Sequence, residues 1–148
     1  MAEVRNAQVT WTGDLQTGGG TIDYVSSGVF SRMPVSWAAR TGPHNGKTSP
    51  EELLAAAHAS CFSMAFSARL AKNGTPPARL KVTAEVSFDN ASGGWKVTRS
   101  LITVVGDVPG IDLEKFREIA EDAKENCPIS GALKGNVELV VDASLESA

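Results

Sequence analysis

The sequence predicts an α+β domain in which an antiparallel sheet lies against a long central helix. Three observations predict it. Short runs of high strand propensity, separated by glycine turns, fill the first third; one alanine-rich segment from Pro50 to Lys72 carries helix start and stop signals; and alternating runs at 80–88 and 95–105 face each other across a turn. Strands cluster instead of alternating regularly with helices, which points away from a βαβ repeat.

Val9 and Trp11 precede a Gly13-Asp14 turn, Gly18 to Gly20 break the chain again, and Thr21 to Phe30 is rich in strand formers such as Ile22, Tyr24 and Val25, so a meander is expected. Arg32 to Lys47 shows no clear period, and residues 41–46 (Thr-Gly-Pro-His-Asn-Gly) are loop chemistry. Ser49 then serves as N-cap, Pro50 occupies the first helical position, Glu52 completes an S-x-x-E capping box, and Asn73-Gly74 supplies the stop. A rod of roughly 23 residues is about 35 Å long. It is apolar on nearly every side, and one small sheet cannot enclose it, so a second copy of the chain is expected on the remaining face.

Leu80, Val82, Ala84, Val86 and Phe88 alternate as a strand, Asn90 to Gly94 turns, and Trp95 to Val105 returns as its hairpin partner with a phase change near Arg99-Ser100 that reads as a bulge. Asp112 caps a second helix whose core stripe is Leu113, Phe116, Ile119, Ala120 and Ala123, ending near Asn126. Cys127-Pro128 opens a short helix containing Leu133, and Val137 to Leu145 alternates as a final strand.

At 148 residues, one core spanning residues 1–148 is the expectation, with no repeat or linker. The net charge of -3 comes from interspersed acids and bases, so no basic stripe advertises nucleic acid and no polybasic tract a membrane surface. The opening MAEVRNAQVTW has neither a basic leader nor an apolar run, which predicts a cytoplasmic protein. The apolar run from Leu53 to Leu70 is long enough to raise the membrane question, but His58, Arg69, Ser60, Ser63 and Ser67 argue for a core helix.

Two cysteines, Cys61 and Cys127, are too few for a secreted disulfide framework. Cys61 on a mostly apolar helix reads as an inert core thiol unless a cation reaches it, because only the thiolate is reactive; Arg40 and Lys47 in the preceding segment and Arg69 beyond are the nearby cations. Glu51 and Glu52 complement the helix dipole. Glu51 precedes Cys61 by ten residues, about 15 Å along the rod, so within one copy the two cannot touch. Cys127 is either a packed boundary residue or a redox partner of Cys61, and spacing decides neither. His58, one turn before Cys61, is either a satisfied structural group or a base. Cys61, Cys127, His58 and His44 match no metal-site spacing, and there is no C-x-x-C, Walker loop or Rossmann fingerprint.

The run Ser49-Pro50-Glu51-Glu52-Leu53 followed by Ala56-Ala57-His58-Ala59-Ser60-Cys61-Phe62-Ser63-Met64-Ala65 resembles the signature of the OsmC/Ohr family, the osmotically inducible and organic hydroperoxide resistance proteins. Trp11-Thr12-Gly13-Asp14, Ser27-Gly28-Val29, Val108-Pro109-Gly110-Ile111 and Cys127-Pro128-Ile129-Ser130 resemble further family segments in order. The Ala-His-Ala-Ser-Cys and Cys-Pro-Ile-Ser forms, and an arginine in the segment before the helix, are similar to the OsmC branch. Ser49 stands where the family usually has Asn, and both residues cap helices.

The resemblance implies an intertwined homodimer, with an OsmC-like sheet wrapped around the long central helices, acting as a thiol peroxidase without cofactor or metal. Cys61 would be the peroxidatic cysteine and Cys127 the resolving one, with Arg40 stabilising the thiolate and Glu51 holding the guanidinium. It further implies organic hydroperoxides as substrates, hydrogen peroxide less well, and a dithiol reductant such as a lipoyl group. Phe62, Trp37, Met33 and Leu133 are the expected apolar lining. A non-enzymatic redox sensor and a structural dimer with inert thiols are the competing readings.

Overall fold

A computed structural model describes residues 1–147, in two compact units, Met1–Leu53 and the residues from Leu54 onward. In the first, β1 (Ala7–Thr12), β2 (Gly19–Val25) and β3 (Ser31–Val35) form the expected antiparallel meander in that order. Val9, Trp11 and Tyr24 remain exposed, so this sheet is not closed over a core of its own. The segment read as loop after Phe30 is more ordered than its pattern suggests. It contains β3 and a five-residue helix, α1 (Trp37–Thr41), whose N-cap Ser36 accepts a hydrogen bond from the Ala39 N–H at 3.2 Å. Five residues are too short to display a period, which is why α1 is invisible to one.

The long helix α2 (Pro50–Lys72) has the expected bounds. Ser49 Oγ accepts from the Glu52 N–H at 3.1 Å, which satisfies one of the first-turn donors. At the other end Gly74, at φ +84°, lets Thr75 N–H reach Leu70 C=O at 3.0 Å and close the last turn.

In the second unit, β4 (Arg79–Ala91) and β5 (Gly94–Asp107) make the predicted hairpin around Ser92-Gly93, and the bulge falls between Ser87 and Phe88, opposite Thr98, next to its expected place. After α3 (Leu113–Asn126) and α4 (Pro128–Leu133), β6 (Glu138–Leu145) pairs with β5 in parallel. The expectation of a wholly antiparallel sheet is therefore corrected at β6. The intervening helices carry the chain back to the start of β5, and a crossover of that length is what parallel pairing requires.

The core of this unit lies between α2, α3 and the β4–β5–β6 sheet. Phe62, Phe66 and Leu70 from α2 meet Phe116, Ala120 and Ala123 from α3 and Ile102 and Val104 from β5. Phe66 stacks tilted between Phe62 at 5.3 Å and Phe116 at 5.0 Å. Asp112 caps α3 as expected, taking the Lys115 N–H at 2.8 Å, but Leu113 is exposed and not part of the stripe. Its place at the first helical residue turns it off the face that begins with Phe116.

Gly106 on β5 is a packing constraint: a Cβ there would lie 2.6 Å from Phe116 Cζ. Phe116 is fully buried and cannot swing away. Gly106→Ala is expected to cost about 1–3 kcal/mol, read as a lowered urea midpoint with unchanged slope. A midpoint equal to that of the native chain would show that the core yields at this point.

Candidate active site

In the first unit, α1 presents Arg40 to the opening turn of α2. Its Nη2 donates to Glu51 Oε1 at 2.5 Å and its Nε to Oε2 at 3.2 Å, a two-pronged guanidinium–carboxylate pair. The guanidinium also lies over the Trp37 ring, 5.6 Å from its centre. Glu51 is buried, 8% exposed, and its place in the first turn of α2 adds the helix dipole to its stabilisation. Position 40 thus holds a cation whose orientation is fixed from two sides.

In the second unit, the two thiols meet. Cys61 is half-buried on α2, and Cys127, fully buried, is the junction between α3 and α4, where its N–H donates to Ala123 C=O at 2.9 Å and its C=O accepts from the Gly131 N–H at 3.0 Å. Both are free thiols, and Cys127 is near enough to Cys61 to act on its titration. Burial pushes the Cys61 thiol above its ordinary range, and the proximity of Cys127 pushes it further. The Ile129 N–H, in the first turn of α4, donates to the Cys61 sulfur and pulls the other way. Burial dominates, so this unit by itself keeps Cys61 as a thiol.

His58 is fully buried one turn before Cys61. Its Nδ1 is 2.7 Å from Ser100 Oγ on β5 and its Nε2 is 2.8 Å from Ser130 Oγ on α4. Burial lowers its proton affinity below the ordinary histidine value, so the neutral ring is the folded form. The unfolded chain binds a proton near pH 6.5 that the folded chain refuses, so stability is full above that pH and declines as pH falls through it. Denaturant midpoints measured from pH 7.5 to 5.5 are expected to drop in the native chain, by at most about 1.4 kcal/mol per pH unit from this group. His58→Gln should flatten that slope; an unchanged slope would assign it to other groups.

The roles of Ser100, Ser130 and Trp37 are missed by reasoning from spacing. Ser130 stands in the Cys-Pro-Ile-Ser motif, but its partner lies 72 residues away. Of the expected lining, Phe62 is corrected: it is fully buried in the Phe62–Phe66–Phe116 core. Met33 is exposed on β3 and Leu133 half-buried on α4. A groove of about 650 Å³ between α2 and α3, lined by Arg69, Lys72, Lys115 and Asp122 among others, contains neither thiol. Among the described residues no cluster of three His, Cys, Asp or Glu side chains could hold a metal ion.

The chain is similar to known proteins over almost its full length. It is 39% identical over 143 residues to the peroxiredoxin OsmC of Escherichia coli (strain K12), covering 97% of each chain. The organic hydroperoxide resistance protein OhrB of Bacillus subtilis is 34% identical over 97 residues, 64% of this chain and 68% of that one. The structure of an organic hydroperoxide resistance protein from Elizabethkingia anophelis superposes with a TM-score of 0.74 over 99% of this chain and 100% of that one, a likeness of fold at 24% identity. Residues 42–142 match the family model described as OsmC-like protein. They include Glu51, Cys61 and Cys127, and the chain belongs to the OsmC-like protein family.

Proposed function

We propose that this protein is a peroxiredoxin-type peroxidase that reduces organic hydroperoxides, and hydrogen peroxide less well, through Cys61 and Cys127. The observation that carries the reading is the contact between those two thiols, one half-buried and one fully buried, in a chain aligned along 97% of its length with a peroxiredoxin. The Cys61 thiolate attacks the outer oxygen of the hydroperoxide, the O–O bond breaks, the alcohol leaves with a proton, and Cys61 becomes a sulfenic acid. The Cys127 sulfur then attacks the Cys61 sulfur, water leaves, and a disulfide forms. A dithiol, of the lipoyl type, returns two electrons and two protons to regenerate both thiols.

Arg40 supplies the positive charge that the thiolate needs, and Glu51 aims it. Glu51 and Cys61 lie about 15 Å apart on one rod, so Arg40 and Glu51 of one copy serve Cys61 of another. A homodimer of intertwined chains is supported by what one copy leaves uncovered. Ala56, Ala57, Ser60, Met64, Ala68 and Ala71 form an exposed face of α2, with Met64 73% exposed. By length and composition α2 is apolar enough to cross a membrane, but the residues of its opposite face, Phe62, Phe66 and Leu70, are committed to the core. A second α2 is the occupant that suits the open face, in a protein acting in the cytoplasm.

The test is turnover. Purified protein with dihydrolipoamide and tert-butyl hydroperoxide is expected to consume peroxide catalytically, faster than with hydrogen peroxide. Consumption no greater than that of the Cys61→Ser variant would remove the peroxidase reading and leave the redox sensor and the structural dimer with inert thiols.

A further inference from the structure

α4 is six residues long, too short to hold its own shape, so contacts outside it must fix its position. It matters where α4 sits, because its flanking residue Cys127 and its second residue Ile129 both address the Cys61 sulfur. The side chain that ties α4 to α2 is His58, through Ser130 at 2.8 Å. The ring is held from its other side by Ser100 of β5 at 2.7 Å. A neutral imidazole has one N–H and one lone pair, and here both nitrogens have a partner. His58 therefore has no free nitrogen with which to take a proton from Cys61.

We infer that the His58–Ser130 hydrogen bond is a positioning device for the resolving segment, docking α4 on α2 so that the Cys127 sulfur and the Ile129 N–H both face Cys61. His58 is a positioning residue and not the base that deprotonates the thiol. Ser100 orients the ring, and Ser130 transmits that orientation to α4. The two serines therefore do different work: losing the Ser130 hydroxyl frees α4, while losing the Ser100 hydroxyl leaves α4 attached. The consequence for catalysis rests on the peroxidase reading, since a displaced Cys127 condenses late with the sulfenic acid and leaves Cys61 open to further oxidation.

The test avoids peroxide. Diamide takes two electrons and two protons from a thiol pair and leaves a disulfide, so closure of Cys61 on Cys127 is followed by a loss of two mass units in the full chain. In parallel, the pH profile of Cys61 alkylation by iodoacetamide is read by peptide mapping. Ser130→Ala is expected to slow closure about tenfold, the scale of one lost buried hydrogen bond. It should also move the alkylation profile to lower pH, because the displaced segment takes with it Cys127 and the burial that hold the thiol up, which together outweigh the Ile129 N–H. Ser130→Thr, which keeps the hydroxyl, should restore both, and Ser100→Ala should stay within about twofold of the native rate. Native closure and an unchanged profile in Ser130→Ala would overturn the inference. So would equal slowing by Ser100→Ala and Ser130→Ala, which marks His58 as general core support. Because diamide replaces peroxide, failure of the native protein to turn over hydroperoxide would count against the peroxidase reading alone.

Discussion

Cys61→Ser is expected to bring hydroperoxide consumption down to the uncatalysed rate, whereas Cys127→Ser should consume one equivalent per chain and stop. The two thiols differ in access, and that difference assigns the roles. Cys127 is fully buried, and association with a second copy can only bury it further, so a hydroperoxide entering from solvent meets Cys61 first. A serine hydroxyl at 61 keeps the shape of the site but ionises far less readily than a thiol, so no nucleophile remains. With serine at 127 the first step is intact: peroxide is cleaved, the alcohol leaves and Cys61 is held as a sulfenic acid with no neighbouring thiol to condense. A dimedone adduct on the Cys61 peptide of Cys127→Ser, and none on native protein oxidised with one equivalent, is the expected mass signature. Multiple turnover by Cys127→Ser at the native rate with dihydrolipoamide as the electron source would show that Cys127 does not resolve the intermediate.

What the sequence discloses depends on whether the cause is local. The bounds of α2 are set by Ser49, Pro50 and Gly74 acting within one turn of the helix ends, and they can be read without any knowledge of the rest. The β4–β5 hairpin is equally local, since Gly93 and Gly94, at φ +102° and +106°, sit between its alternating runs. Strand direction is not local. The alternation of Val137 to Leu145 is the same for either orientation, and only the path of α3 and α4 makes β6 parallel to β5. Helix phase is also decided from afar: Leu113 is as apolar as Ile119, yet one is exposed and the other packs in the core.

The site divides in the same way. Cys61 and Cys127 are legible as the two thiols of interest because cysteine is rare in this chain, but their proximity is a matter of tertiary structure. Arg40 and Glu51 were legible by type, while the fork between them depends on α1, a helix with no detectable period. Spacing leaves His58 between a structural and a chemical role, and the two serines that hold its ring are distant in sequence.

Arg40→Ala is expected to move the alkylation profile of Cys61 to higher pH and to lower hydroperoxide turnover by on the order of 100-fold, the scale of removing one preorganised donor from a developing oxyanion. The unit that holds the thiols pushes Cys61 above its ordinary range through burial and Cys127, with one backbone N–H in opposition. A reactive thiolate therefore needs a cation from elsewhere, and the proposed one is Arg40, which Glu51 and Trp37 hold in a fixed orientation. Arg40→Ala also leaves a buried carboxylate at Glu51 without its fork, so loss of activity could follow from loss of local structure. Arg40→Ala combined with Glu51→Gln relieves that burial and should recover stability but not the alkylation profile. Arg40→Lys keeps the charge yet cannot span both carboxylate oxygens, and its profile should fall between those of the native and Arg40→Ala proteins. An Arg40→Ala profile superimposable on the native one would remove Arg40 from the thiol site, and the source of the activating charge would have to be sought in Lys47 or Arg69.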